Sequence, residues 1–161
     1  MQLDHIHISL SDQQLVGFVD GQPVCRYPVS TALNGAGEAE GSGCTPRGRH
    51  RIRARIGEGL PLGAVFIGRR PTGEVWSAEL AEAFPQRDWI LSRILWLCGE
   101  QTGFNRGGSV DSQRRYIYIH GTGDDQPMGR PLSHGCIRMR NTDLLELFAC
   151  VPVGCIVQID A

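Results

Sequence analysis

Short runs that alternate apolar and polar residues recur along this chain, separated by stretches rich in glycine, proline and small polar residues. A period of two is the signature of half-buried β-strands, and frequent turn residues leave room only for short helices. In "HIHISL", Ile6, Ile8 and Leu10 share one face, and His5, His7 and Ser9 share the other. "QQLVGFVDGQPVCRYPVS" sets two apolar runs around Asp20-Gly21, a hairpin signal of the type I′ kind. "RHRIRARIG" alternates again, with Ile52, Ala54 and Ile56 on one side and Arg49, Arg51, Arg53 and Arg55 on the other. Residues 57–75 predict a short extended run between turns. "WILSRILWL" fits neither period cleanly and reads as a strand, with a helix as the alternative. "RRYIYIHGT" predicts a strand over Tyr116 to Ile119 that ends at His120-Gly121, and "CIVQI" predicts a last strand. "NTDLLELFACV" carries a helix start, with Asn141 or Thr142 as N-cap. Residues 34–48 and "GEQTGFNRGGSVDSQ" read as loops. The expectation is one mainly-β domain over residues 1–161 with one or two short helices.

Composition narrows the function. The 161 residues suit a single core, and no apolar run is long enough to span a membrane. "MQLDHIHISL" lacks the basic, apolar and small-residue segments of a secretory signal. A cytoplasmic location is expected, or a periplasmic one where an export segment has been removed. A formal charge of −1 offers no electrostatic case for nucleic acid or membrane partners. All 16 basic residues are arginine, which excludes Schiff-base lysine chemistry and supplies donors suited to carboxylates. The six cysteines include no CxxC pair. Most lie in apolar runs, where a thiol packs as a small core residue.

Cys136 differs from the others. It sits in "PLSHGCIRMR", two positions after His134, with His120 sixteen positions upstream. A thiol attacks as thiolate, and at an ordinary pKa of about 8.5 it needs a base or a cation beside it. His134 and His120 are both candidates. Gly121 and Gly135 would allow sharp turns and close backbone approach. A backbone carbonyl could orient the imidazole, and amides near Cys136 could form an oxyanion hole. Zinc is an alternative, with His120, His134 and Cys136 as ligands and Asp124 or Asp125 as a fourth; the His-Gly-Cys spacing is tight for one ion. The arginine row of "RHRIRARIG" is either a solvated strand face or an anion-binding wall.

"IHG" followed by "SHGCIRM" resembles the signature of the L,D-transpeptidase catalytic domain, also called YkuD. "YPVSTALNGAGEAEGSGCTPRGRHRI", the early hairpin and the closing "VPVGCIVQI" extend the resemblance over nearly the whole chain. It implies a β-sandwich of mixed sheets with a helix packed over the catalytic region. It further implies Cys136 as nucleophile, His120 as its base, and the Gly121 position as the carbonyl that orients that histidine. His134, Ser133 and Gly135 would line the pocket, and Arg138 would serve the oxyanion or a substrate carboxylate. Arg53, Arg55 and Tyr118 are assigned to substrate binding. The implied substrate is a peptidoglycan stem peptide or muropeptide, cleaved between the third residue and D-Ala through a Cys thioester, with no metal or organic cofactor. With no export signal visible, water is the expected acyl acceptor, which makes an L,D-carboxypeptidase of muropeptide recycling. An L,D-transpeptidase with an amine acceptor is the alternative, and a non-catalytic muropeptide sensor a further one. The sequence leaves the oligomeric state open.

Overall fold

A computed structural model describes residues 1–161. Its strands are β1 (His5–Ser9), β2 (Gln14–Val19), β3 (Gln22–Pro28), β4 (Gly48–Ile56), β5 (Ala64–Ile67), β6 (Arg70–Val75), β7 (Ile90–Gly99), β8 (Tyr118–Gly121), β9 (Ile137–Met139) and β10 (Ile156–Asp160). The helices are α1 (Ala78–Ala83) and α2 (Asn141–Cys150). Hydrogen bonds join the strands into one mixed sheet in the order β3-β2-β1-β10-β4-β7-β5-β6. β8 lies along the other edge of β7 and carries β9 beside it in parallel. The sheet curls back on itself, because Ser30, just beyond β3, exchanges two backbone hydrogen bonds with Arg138 of β9. The mainly-β, mixed-sheet expectation therefore holds, with the two faces of the predicted sandwich formed by one continuous, folded sheet.

The enclosed core contains Ile6, Ile8, Leu15, Ile52, Leu95, Leu97, Ile119, Ile137 and Val157, closed by Leu144, Leu147 and Phe148 of α2. A smaller cluster of Ala64, Phe66, Ile94 and Tyr118 lies on the opposite face of β7 and β8, with Cys136 packed at its margin. No helix is long and apolar enough to cross a membrane.

Several local expectations are corrected. The pairing of β4 with β7 shifts between Ile52 and Ala54. Such a bulge reverses the facing of every later residue. Arg55 therefore leaves the exposed row of Arg49, Arg51 and Arg53 and turns onto α2. There it donates to the Phe148 carbonyl at 2.8 Å and covers the Phe148 ring at 4.1 Å. "WILSRILWL" fits no period because Ser92 adopts a φ of 72° and breaks the register between Leu91 and Ile94. The strand predicted from Tyr116 begins at Tyr118 and includes His120 and Gly121. Tyr116, at φ 57°, belongs to the preceding turn. Neither Asn141 nor Thr142 caps α2; Arg140 holds that position without a side-chain cap, because the Asn141 side chain is used inside the protein. α1 begins at Ser77, whose hydroxyl accepts from the Leu80 amide at 3.0 Å. It buries no residue, so it carries no amphipathic pattern that would announce it.

His50 is fully buried in β4. Its Nδ1 faces the Gly48 carbonyl at 3.1 Å, so Nδ1 donates, and Nε2 accepts from the Ser112 hydroxyl at 2.8 Å. Burial lowers its pKa from 6.5 to about 4. Between those values the unfolded chain binds the proton and the folded chain does not, so stability should fall as pH drops from 6.5 to about 4. The contribution is on the order of 3 kcal/mol. Denaturant titrations across that window should show the decline, and His50→Gln should flatten it.

Candidate active site

The parallel pair of β8 and β9 builds the site. Their register sets Ile119 against Ile137, His120 against Arg138 and Gly121 against Met139. Alternation then sends Ile117, Ile119, Ile137 and Met139 into the main core. It sends Tyr118, His120, Cys136 and Arg138 to the opposite face, where all four line a cavity of about 480 Å³. Ser133 and His134 line the same cavity.

Cys136 immediately precedes β9. Its Sγ receives the Tyr118 amide at 3.4 Å and faces the Tyr116 carbonyl at 3.3 Å. The turn into it needs glycine: Gly135 has a φ of 130°, and a Cβ there would stand 3.2 Å from the Cys44 carbonyl oxygen. Ser133 stiffens this turn, with its hydroxyl donating to the Cys136 carbonyl at 2.6 Å and accepting from the Gly135 amide at 3.2 Å. Thr45 donates to the Gly135 carbonyl at 2.9 Å. The Cys136 amide meets no acceptor in the chain, which leaves it free for an oxyanion.

His120 is 1% exposed. Its Nδ1 stands 2.6 Å from the Gly121 carbonyl. A carbonyl can only accept, so Nδ1 carries the proton and Nε2 presents a lone pair. The Thr122 carbonyl, one residue beyond Gly121, is in turn held by a buried chain of hydrogen bonds. The Gly63 amide donates to the Ser92 hydroxyl at 2.9 Å, Ser92 donates to Asn141 Oδ1 at 2.7 Å, and Asn141 Nδ2 donates to the Thr122 carbonyl at 2.9 Å. A Cβ at Gly121 would collide with Asn141 Oδ1 and the Leu91 carbonyl. Glycine at 121 therefore admits Asn141.

His134 is a different kind of histidine. Its side chain is 77% exposed and its Nδ1 faces Asp88 at 3.5 Å. Asp88 also accepts from Arg138 at 3.1 Å, while Arg138 Nε is buried without a partner. Sequence reasoning missed Asp88, which lies in an irregular segment with no motif around it. It also missed Arg115, which ties the loop around Gly37 and Cys44 to the segment before β8. Arg53 and Arg55 do not reach the cavity: Arg53 is exposed on β4 and Arg55 is spent on α2. The zinc alternative is not assembled either, since no group of three or more His, Cys, Asp or Glu side chains converges.

Burial dominates the electrostatics. It pushes the Cys136 thiol up to about 12, with the Asp88 charge adding, against the opposing pull of the Tyr118 amide, Arg138 and Arg115. Burial also lowers His120, against the raising effects of the Gly121 carbonyl and Asp88. Thiol and imidazole are therefore both neutral near pH 7.

A family model described as the L,D-transpeptidase catalytic domain matches residues 3–159. Over 44 residues the chain is 50% identical to the Escherichia coli K12 protein named probable L,D-transpeptidase YbiS, a segment covering 27% of this chain and 14% of that protein. Over 45 residues it is 51% identical to probable L,D-transpeptidase ErfK/SrfK of Salmonella typhimurium, covering 28% of this chain and 15% of that protein. The matched segments thus span less than a third of the curated relatives. Among solved structures, the L,D-transpeptidase (residues 123–326) of Xylanimonas cellulosilytica superposes with a TM-score of 0.56 at 20% identity, covering 99% of this chain and 61% of that one. L,D-transpeptidase 3 of Mycobacterium tuberculosis, solved with a faropenem-derived adduct, superposes with a TM-score of 0.58 at 15% identity, covering 98% and 60%. At these identities the superpositions speak for the fold.

The lowered pKa of His120 gives the pH dependence a direction. Nε2 stays unprotonated until the pH falls below the ordinary histidine value of 6.5, so the acidic limb of kcat/KM should lie below 6.5. Alkylation of Cys136 by iodoacetamide should keep rising with pH above neutrality. A plateau of full thiol reactivity near pH 7 would instead mean a standing thiolate.

Proposed function

Because the chain belongs to the L,D-transpeptidase catalytic domain family, we propose that it transfers acyl groups of peptidoglycan stem peptides through a thioester on Cys136. The observation that carries this reading is that Cys136 and His120 line one cavity on the same face of β8 and β9, with the imidazole tautomer fixed by Gly121. Sγ attacks the carbonyl carbon of the third, L-centred residue while its proton passes to His120 Nε2. The tetrahedral oxyanion takes the free Cys136 amide, and the charge of Arg138 stands close by. Collapse breaks the C–N bond, and His120 returns the proton to the departing amine of D-Ala. The thioester remains. An acceptor then gives its proton to His120, attacks the same carbonyl, and Cys136 leaves as the thiol.

Water as acceptor makes an L,D-carboxypeptidase that trims tetrapeptide to tripeptide. One observation favours an amine-bearing peptide, and with it the L,D-transpeptidase reading. A second cavity of about 550 Å³, lined by Trp76, Glu82, Arg87 and Gln126 among others, adjoins the first. The two share Asp88, His134 and Arg138. Water needs no second cavity of that size, whereas a peptide acceptor does, and the Asp88 carboxylate suits its ammonium group.

Mass spectrometry of a disaccharide-tetrapeptide digest separates the outcomes. Cross-linked dimers or incorporation of an added D-amino acid are expected for transpeptidation; free D-Ala with tripeptide alone would give the carboxypeptidase. Cys136→Ala should abolish both. His120→Ala should cost about 10²–10⁴-fold in kcat, the usual worth of a general base. Near-normal turnover by Cys136→Ala would remove the thioester, and with it the proposal.

A further inference from the structure

The cavity around Cys136 contains a cation that the acyl-transfer steps do not use. β5 and β6 are joined by a two-residue loop, Gly68-Arg69, between the paired Ile67 and Arg70. Both loop residues are left-handed, at φ 56° and 67°, as a type I′ hairpin turn requires. Glycine accepts that conformation freely; arginine does so at a cost of roughly 1–3 kcal/mol. The cost places the guanidinium over the cavity. It lies 4.7 Å from the Trp96 ring centroid and 5.0 Å from that of Tyr116, and it donates to the Tyr118 hydroxyl at 3.0 Å.

Two features make this a built site without an internal occupant. First, the charges in the cavity do not cancel. Arg138 is matched by Asp88 at 3.1 Å, and Asp88 is the only carboxylate that lines the cavity. Arg69 forms no ion pair and has Tyr118 as its one hydrogen-bond partner. Second, Tyr118 is 4% exposed, and its hydroxyl accepts from Arg69, so its own proton must go elsewhere. No acceptor in the chain takes it. Guanidinium and phenol thus present two adjacent donors to one missing acceptor, a pattern suited to a carboxylate.

Resting on the acyl-transfer reading, we infer that Arg69 and Tyr118 bind a carboxylate of the donor peptide and so select a multiply acidic stem peptide for Cys136. This is the carboxylate recognition expected from the arginine row of β4, supplied instead by the tip of the β5–β6 hairpin.

The test is equilibrium binding, which needs no turnover and so stands apart from the fate of the acyl-transfer reading. Calorimetry measures the affinity of a disaccharide-tetrapeptide for the Cys136→Ala protein, with and without Arg69→Gln. Loss of a charge-assisted hydrogen bond predicts binding weaker by about 10- to 100-fold. Donors amidated at the C-terminus or at a side-chain carboxyl identify the group: with the correct one blocked, Arg69→Gln should have no further effect. Arg69→Lys, which keeps the charge, should still prefer the free acid over the amide. The inference is overturned if Arg69→Gln leaves the affinity for the free acid unchanged, if it weakens all donors equally, or if no donor binds.

Discussion

Because His120 lies opposite Arg138 in the parallel pair of β8 and β9, residues of even number in both strands share one face. Every other feature of the cleft depends on that register. The odd-numbered isoleucines and Met139 are drawn into the main core, and their burial prevents the pair from slipping. A slip of one residue would place Ile119 and Ile137 in the cleft and His120 and Cys136 in the core. Burying a side chain of that size is worth about 1.5–3 kcal/mol, and four such side chains anchor this short unit. The hydrophobic effect on one face thus sets the geometry of the chemistry on the other.

The same burial decides how the nucleophile works. A cysteine beside a cation at an exposed site would ionise readily, yet here desolvation outweighs Arg138 and Arg115 and keeps the thiol protonated. The histidine is shifted in the opposite direction by the same cause. Both shifts favour the uncharged form. The Gly121 carbonyl matters because it fixes which nitrogen can take the proton. A flipped tautomer would set an Nδ1 lone pair against the carbonyl oxygen and move the N–H to Nε2.

Much of this was legible in the sequence, for identifiable reasons. Strands with a clean period of two and one solvated face were readable, as in β1 and β10. The hairpin of β2 and β3 was readable because Asp20-Gly21 can turn in only a few ways. "SHGCIRM" was readable through its resemblance to the family signature, which the match over residues 3–159 bears out; a thiol beside a histidine would not have been enough. What failed depends on long-range pairing. The bulge after Ile52 is set by how β4 meets β7, and nothing local in "RIRARI" signals that Arg55 will turn away from its row. Asn141 resembles a helix cap locally, yet Ser92 and Thr122, distant in sequence, claim its side chain. Asp88 and Arg69 stand in no motif and become site residues only because the fold brings them to Cys136.

The distribution of arginines follows from the absence of lysine. Arg55 and Arg93 both cover the Phe148 ring, and Arg93 also donates to the Leu60 and Ser92 carbonyls at 2.9 and 2.6 Å. A planar, weakly hydrated cation can do this where an ammonium would keep its water. Those guanidiniums donate to backbone carbonyls beside a ring and lie outside the cavity around Cys136. Arg69 has the same stacked arrangement, on Trp96 and Tyr116, but no carbonyl completes it. One residue type therefore serves two ends, and what separates them is place, since Arg69 lines the cavity around Cys136 and Arg55 and Arg93 do not. The Gly63–Ser92–Asn141 hydrogen bonds run from the entry to β5, the strand that carries the Arg69 hairpin, to the Thr122 carbonyl, two residues beyond His120. The hairpin that carries Arg69 and the segment that follows His120 are thereby tied to one hydrogen-bonded frame, so the two sides of the cavity around Cys136 hold a fixed spacing.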